Sequence, residues 1–231
     1  MSTEYDYIAA IDSLVKGDEL PLGEPEKQLA IDAAFKEHSR PRPWIVVEDE
    51  AGTGGFDYAV TLLASWSEGF SSIRKIEYPL DDDSVDDTTL QDNAWSLYTK
   101  PSGKVIRFLE DAPKTTEHFR VTYTALHEAS ASHCTVDAAD EQAVQMLAAS
   151  YFCKMLAAYF SATNDSTVQA DSVDHKSKAS EYAARAKMYR ESYFHHLGQE
   201  ENKLMPASVT RDQDLQPSWR GDKLTHPNKY R

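Results

Sequence analysis

Between Ala143 and Phe160 the chain carries a single charge, Lys154, in 18 residues. A run this apolar must be a buried helix, a membrane span or a surface that another molecule covers, since apolar area left in water costs on the order of 25 cal/mol per Å². Five alanines, the central lysine, and Gln145, Ser150 and Cys153 dilute the run, and a charge at mid-bilayer is expensive. The expectation is therefore a helix hidden in a protein assembly, with no membrane partner. Val144, Leu147, Tyr151, Met155 and Tyr159 form its strongest stripe, and Asp137 with Asp140 can cap it, giving a helix from about residue 137 to Ala162. A polar turn, Thr163 to Asp171, then reverses the chain. A second helix runs on to about Leu197, ahead of Gly198, with Tyr182, Ala186, Tyr189, Tyr193 and Leu197 on one face. Together the two predict a long antiparallel α-hairpin. The first helix is apolar nearly all round, so it needs the N-terminal helices, or further copies of the chain, to cover what its partner leaves bare.

Two shorter helices are expected before residue 40. Thr3 and Asp6 form an acidic variant of the capping pattern, with Ile8, Ile11 and Val15 on one face and Gly17 as the stop. Pro25 suits a first helical turn, and Ile31, Ala34, Phe35 and His38 recur at helical spacing before Pro41 and Pro43 forbid continuation. From Trp44 the period changes. Trp44 to Glu48 and Phe56 to Thr61 flank Gly52 to Gly55 and read as a hairpin; Ile73 to Tyr78 is a third strand. Trp95 to Thr99 and Lys104 to Leu109 flank a Pro-Ser-Gly turn, and Phe119, Val121, Tyr123 and Ala125 alternate with polar residues, as in a sheet with one wet face.

The predicted class is α+β: a mainly helical bundle (residues 1–43 and 128–198) with an inserted small antiparallel β domain (44–127) and an extended C-terminal arm (199–231). The arm has no periodicity. It reads either as a frayed terminus or as a strand that orders on a partner through Leu204, Met205, Leu215, Trp219, Leu224 and Tyr230; Trp219, of little use in a purely solvated tail, favours the second.

Charge narrows the function. Twenty-four Lys+Arg against 38 Asp+Glu give a net charge of −14, which repels nucleic acid and anionic lipid. Two cysteines, Cys134 and Cys153, provide no disulfide framework, and the opening MSTEYDY has no secretory pattern, so an intracellular, reducing origin is expected. Signals for catalysis are poor. Gly52 to Gly55 leads into a strand, not a helix N-terminus, and His127, Glu128 and His133 lack the spacing that puts two histidines on one metal. His195 and His196, adjacent on a helix, point apart and read as surface residues. The acidic run Asp81 to Asp87 lacks the glycine and terminal glutamate of a calcium loop. Cys153 lies in the apolar helix, where a thiol is packing. No enzyme, metal or cofactor is expected.

Several phrases resemble the head–tail adaptor (connector) proteins of tailed bacteriophages. They are AIDAAFKEHSRPRPW at 30–44, then FSSIRKIEYPL at 70–80, KVIRFLEDAP at 104–113 and FRVTYTALH at 119–127, and, most specific, the α-hairpin from AVQMLAASYFCKMLAAYFS to KMYR at 190. Together they cover roughly residues 25 to 197, three quarters of the chain. The resemblance implies a structural virion protein in the neck, made in the host cytoplasm. Such adaptors form a homo-oligomeric ring, typically dodecameric, under the portal protein. The ring extends the DNA channel and meets a tail terminator, stopper or tail-tube protein, while double-stranded DNA passes its lumen without sequence-specific binding. On that reading Tyr151, Met155, Tyr159, Tyr182, Tyr189 and Tyr193 are ring-interface candidates. By position the arm residues Leu204, Met205, Leu215, Trp219, Leu224 and Tyr230 are portal-binding candidates. An acidic lumen would suit DNA that must slide without sticking. The alternative is an acidic DNA mimic that occupies a host nucleic-acid-binding enzyme; it would be a monomer or dimer where an adaptor makes a high-order ring. Two weaker rivals are a metal-dependent hydrolase, which bound metal would reveal, and a virion component outside the neck.

Overall fold

A computed structural model describes residues 3–16, 20–80, 88–162 and 175–198, with the side chains of 175–177 left aside. The arm and its six anchor candidates, the acidic run, Gly17 and the polar turn after Ala162 all lie outside the described residues. Within them the fold is α+β: four helices and two small antiparallel sheets.

Helix α1 (Glu4–Leu14) starts where the Thr3 backbone N–H donates to the Asp6 carboxylate at 2.7 Å, and it buries Tyr7, Ile11 and Val15 just past its end. Helix α2 (Glu24–His38) begins with Pro25 in its first turn, where a missing N–H costs nothing, and buries Ala30, Ile31, Ala34, Phe35 and His38. Helix α3 (Glu141–Ala162) occupies the centre and packs against α1, α2 and α4 (His175–His196). Most of its first four turns are covered: Val144, Leu147, Ala148, Ala149, Phe152, Cys153 and Leu156 are fully buried, while Gln142 and Lys154 stay exposed. The N-terminal helices thus supply the cover that α4 alone could not, and α3, although long and apolar enough to cross a membrane, sits half inside the chain's own core. Helices α3 and α4 run in opposite directions, since Phe160 stacks on Tyr182 at one end while Asp140 meets His196 at the other. Gly198, at φ 68°, ends α4 as a left-handed glycine cap should.

The strands are β1 (Trp44–Ala51), β2 (Asp57–Ala59, followed by a single 3₁₀ turn), β3 (Ile73–Glu77), β4 (Trp95–Lys100), β5 (Gly103–Phe108) and β6 (His118–Ala125). One sheet has the order β1-β6-β3 and the other β2-β5-β4. The expected hairpin between β1 and β2 is therefore not formed. Beyond Ala51 the chain presses against the loop before β6, where Gly52 N–H donates to Glu117 O at 2.8 Å and Gly54 N–H to Pro113 O at 2.9 Å. A Cβ on Gly52 would lie 2.1 Å from the Lys114 carbonyl oxygen. Gly52 serves a close backbone approach where the chain passes from one sheet to the other. The β4–β5 hairpin and the burial of Phe119, Val121, Tyr123 and Ala125 on β6 agree with the sequence pattern. Thr124, on the face expected to be wet, is nonetheless buried and bonded to Ser72, whose backbone N–H donates to its hydroxyl at 2.9 Å. Tyr58, Phe108 and Phe119 meet edge to face with centroids 4.7–5.5 Å apart, and fill the space between the sheets.

Candidate functional site

Two features stand out once the packing is set: a buried polar knot where α2, α3, α4 and the start of β1 converge, and the outer face of the α3–α4 pair.

The knot centres on Asp140, the residue before α3. Asp140 is 1% exposed. Its carboxylate accepts a two-oxygen contact from Arg42 Nη1, lies 2.8 Å from His196 Nε2 and 3.7 Å from His38 Nε2. Asp140 stands just before α3, which begins at Glu141, and its carbonyl accepts from the Val144 N–H at 2.9 Å while its carboxylate turns to Arg42 and the imidazoles. Burial pushes the Asp140 carboxyl up, but the hydrogen bonds from His196 and Arg42 outweigh it and hold it below its ordinary value. His195 and His196 are both exposed, as expected, but His196 also reaches inward, its Nε2 meeting the Asp140 carboxylate at the edge of the knot.

His38 and His127 form the floor, with ring centroids 5.2 Å apart. His38 Nδ1 faces the Tyr193 hydroxyl at 3.2 Å; His127 has its Nε2 2.8 Å from the Arg42 carbonyl and its Nδ1 3.0 Å from Thr135 Oγ1. The His127 backbone N–H donates to Ser39 Oγ, which donates in turn to the Phe35 carbonyl, so the helix end and the strand end are stitched together. Loss of hydration, and then the neighbouring His127, push the His38 pKa down to about 4; burial also lowers that of His127. A cleft of about 320 Å³ opens on the knot between Arg42, Trp44 and Asp137. The buried side chains His38, His127 and Asp140 are each matched to a polar partner, which is the arrangement of a structural lock. Among the described residues no group of three His, Cys, Asp or Glu is placed to hold a metal ion. The signal in the sequence was thin: His38 on an apolar helix face, with its partners some 90 to 160 residues away.

A neutral buried imidazole has a definite pH signature. An unfolded chain protonates His38 near pH 6.5, whereas the folded chain does so only near pH 4. The unfolded state therefore binds more protons as pH falls, and the folded state loses stability through that window. The loss from this group between pH 7 and pH 5 should be about 2 kcal/mol. Urea unfolding at those two pH values measures it; a His38→Gln variant whose stability falls as steeply would show that His38 is not the group responsible.

The second feature is the α3–α4 face. Tyr193 is wholly buried in the helical core. Tyr189 is half-buried, its hydroxyl donating to the Leu14 carbonyl at 2.8 Å, and Tyr182 stacks on Phe160 at 5.6 Å. These three face the chain's own interior. Tyr151 is half-buried and donates to Glu37, which Arg190 Nη2 also clasps at 2.6 Å. Met155 is half-buried, Tyr159 is 40% exposed, and from Ala157 onward α3 emerges from its cover while remaining apolar. Lys154 is exposed, its Nζ 5.0 Å from the centre of the Tyr151 ring, and Cys153 is buried with its thiol pushed up to about 11 by loss of hydration. The outer surface of the sheets adds exposed Ile45 and Val47 on β1.

No known family matches the chain by sequence, and no curated protein does. Among solved structures it is similar to a chain from the neck of an empty GTA particle computed with C6 symmetry, at 16% identity and a TM-score of 0.29, with 76% of this chain and 87% of that chain covered.

Proposed function

We propose that this chain is a head–tail adaptor of a tailed bacteriophage: a structural neck protein whose copies form a ring between the portal and the next tail component, around the path of the DNA. The observation that carries the reading is the emergence of α3. A helix this apolar is covered by α1, α2 and α4 only through Leu156; its last turns, with Tyr159 exposed and Met155 at the margin, present apolar surface to solvent. A ring of heterologous contacts repeats one such patch against a neighbour. The phrases at 30–44, 70–80, 104–113, 119–127 and along α3 and α4 support the same reading, and all but the connection between the two helices fall on described residues. In this proposal Tyr159, Met155 and Tyr151 contact the neighbouring copy, Tyr182, Tyr189 and Tyr193 hold the pair rigid behind them, and the arm residues engage the portal.

The DNA-mimic alternative calls for carboxylates presented free to a protein. Several here are matched to cations instead, including Asp49 with Arg120, Asp57 with Arg107 and Lys100, and Glu37 with Arg190. Native mass spectrometry separates the two, because the adaptor makes a high-order ring, alone or on a portal, where a mimic stays a monomer or dimer. Tyr159→Glu should leave the melting temperature within about 2 °C, as an exposed site requires, and abolish the ring. Normal assembly by a folded Tyr159→Glu chain would remove this face from the interface.

A further inference from the structure

A groove of about 570 Å³ runs between the first half of α3 and the last half of α4, away from the emergent end of α3. Ala143, Met146 and Met188 supply its apolar lining, and Glu191, His195 and His196 its polar one. Met188 is 52% exposed, a large flexible side chain with no apolar cover of its own. The groove ends two residues before Gly198, whose left-handed conformation turns the chain out of the helix.

The segment just beyond Gly198 has the residues that the groove lacks. Positions 199–206 read QEENKLMP, with Leu204 and Met205 as the first apolar residues and Pro206 to close the segment. From Gly198 back to Met188 is about 15 Å at 1.5 Å per helical residue. Six extended residues from Gly198 reach up to about 20 Å, so Leu204 can return to the level of Met188. Lys203, beside the two anchors in sequence, offers a charge opposite to that of Glu191 on the groove wall.

We propose that this groove is a docking site for the chain's own segment 199–206, with Leu204 and Met205 as the anchors laid over Met146 and Met188. The docked state is that of the free chain, before the arm engages a portal.

The test uses the full chain at low concentration. Met188→Cys combined with Met205→Cys, mildly oxidised, should form an intrachain disulfide whose yield does not depend on concentration. That yield should be at least tenfold above a Leu62→Cys/Met205→Cys control, Leu62 being an equally exposed position beside β2. Cys134 and Cys153 are buried and stay out of the exchange. Interchain dimers that grow with concentration, or equal yields in the two pairs, would overturn the proposal. A cysteine-independent measurement guards against misfolded variants: with Leu204→Asp and Met205→Asp together, peroxide should oxidise Met188 at least threefold faster than in the native chain. An unchanged rate would also overturn it. Both results are read on the free chain with no ring or portal present, so failure here is distinguishable from failure of the adaptor reading.

Discussion

Replacing Gly52 by alanine is expected to destabilise the chain by about 3–5 kcal/mol, at the upper end of what a single substitution does. The new Cβ would meet the Lys114 carbonyl oxygen at 2.1 Å and Pro113 backbone atoms at 2.8 Å, and backbone cannot swing aside as a side chain can. Relief requires the 113–117 loop to move. That would break the bonds from Gly52 N–H to Glu117 O and from Gly54 N–H to Pro113 O, each worth about 1 kcal/mol net, and would loosen Tyr58, whose hydroxyl donates to the same Pro113 carbonyl at 3.0 Å. Gly55→Ala is the matched control. Its Cβ would meet nothing nearer than the Thr53 hydroxyl at 3.5 Å, an ordinary contact, so the change should stay within about 0.5 kcal/mol. Urea denaturation of the two variants measures the difference. Equal stabilities would mean that the crossing between the sheets is not as tight as the structure has it.

The second large effect is at the knot. Arg42→Ala removes the guanidinium from a carboxylate that is almost wholly buried, leaving Asp140 to His196 and the more distant His38. Stripping one partner from a buried charge costs about 3–5 kcal/mol when both are enclosed. Arg42 is itself 48% exposed on its side chain and recovers hydration when released, so about 2–3 kcal/mol is expected here. Arg42→Lys should recover only part of this, since an ammonium cannot reproduce the planar fork. Asp140→Asn, which removes the charge and keeps the shape, should cost less than Arg42→Ala, because no bare anion is left behind. The reverse order would mean that Asp140 draws its stabilisation from elsewhere. Because Asp140 joins residues from α2, α4 and the approach to β1, weakening it should also loosen the seat of the sheets on the helices, visible as faster amide exchange at His127 and Ser39.

These two sites mark the limit of what could be read without the fold. Local rules placed the helices well. The Thr3–Asp6 cap, Pro25 in the first turn of α2, the stripe Ile31, Ala34, Phe35, His38 and the glycine stop at Gly198 all act over a few residues, and all appear in the structure. The β4–β5 hairpin was legible for the same reason, its turn lying between adjacent strands. The pairing of β1 and β2 was not. A glycine-rich turn between two strands permits a hairpin, but β1 gains a longer partner in β6, eight residues in register, at a separation no local signal encodes. In the same way Gly52 looked like turn chemistry and proved to be a place where two backbones meet.

The candidate site divides along the same line. Sequence alone determined that α3 is too apolar to stand in water, because composition and short-range spacing are written directly in the chain. Only the tertiary structure decided which turns of α3 the chain covers for itself, that Tyr193 faces inward while Tyr159 faces out, and that His38, Arg42, His127, Asp140 and His196 come together. Burial and ion pairing depend on contacts between residues far apart in sequence, and such contacts are settled by how whole elements pack, not by the order of residues within any one of them.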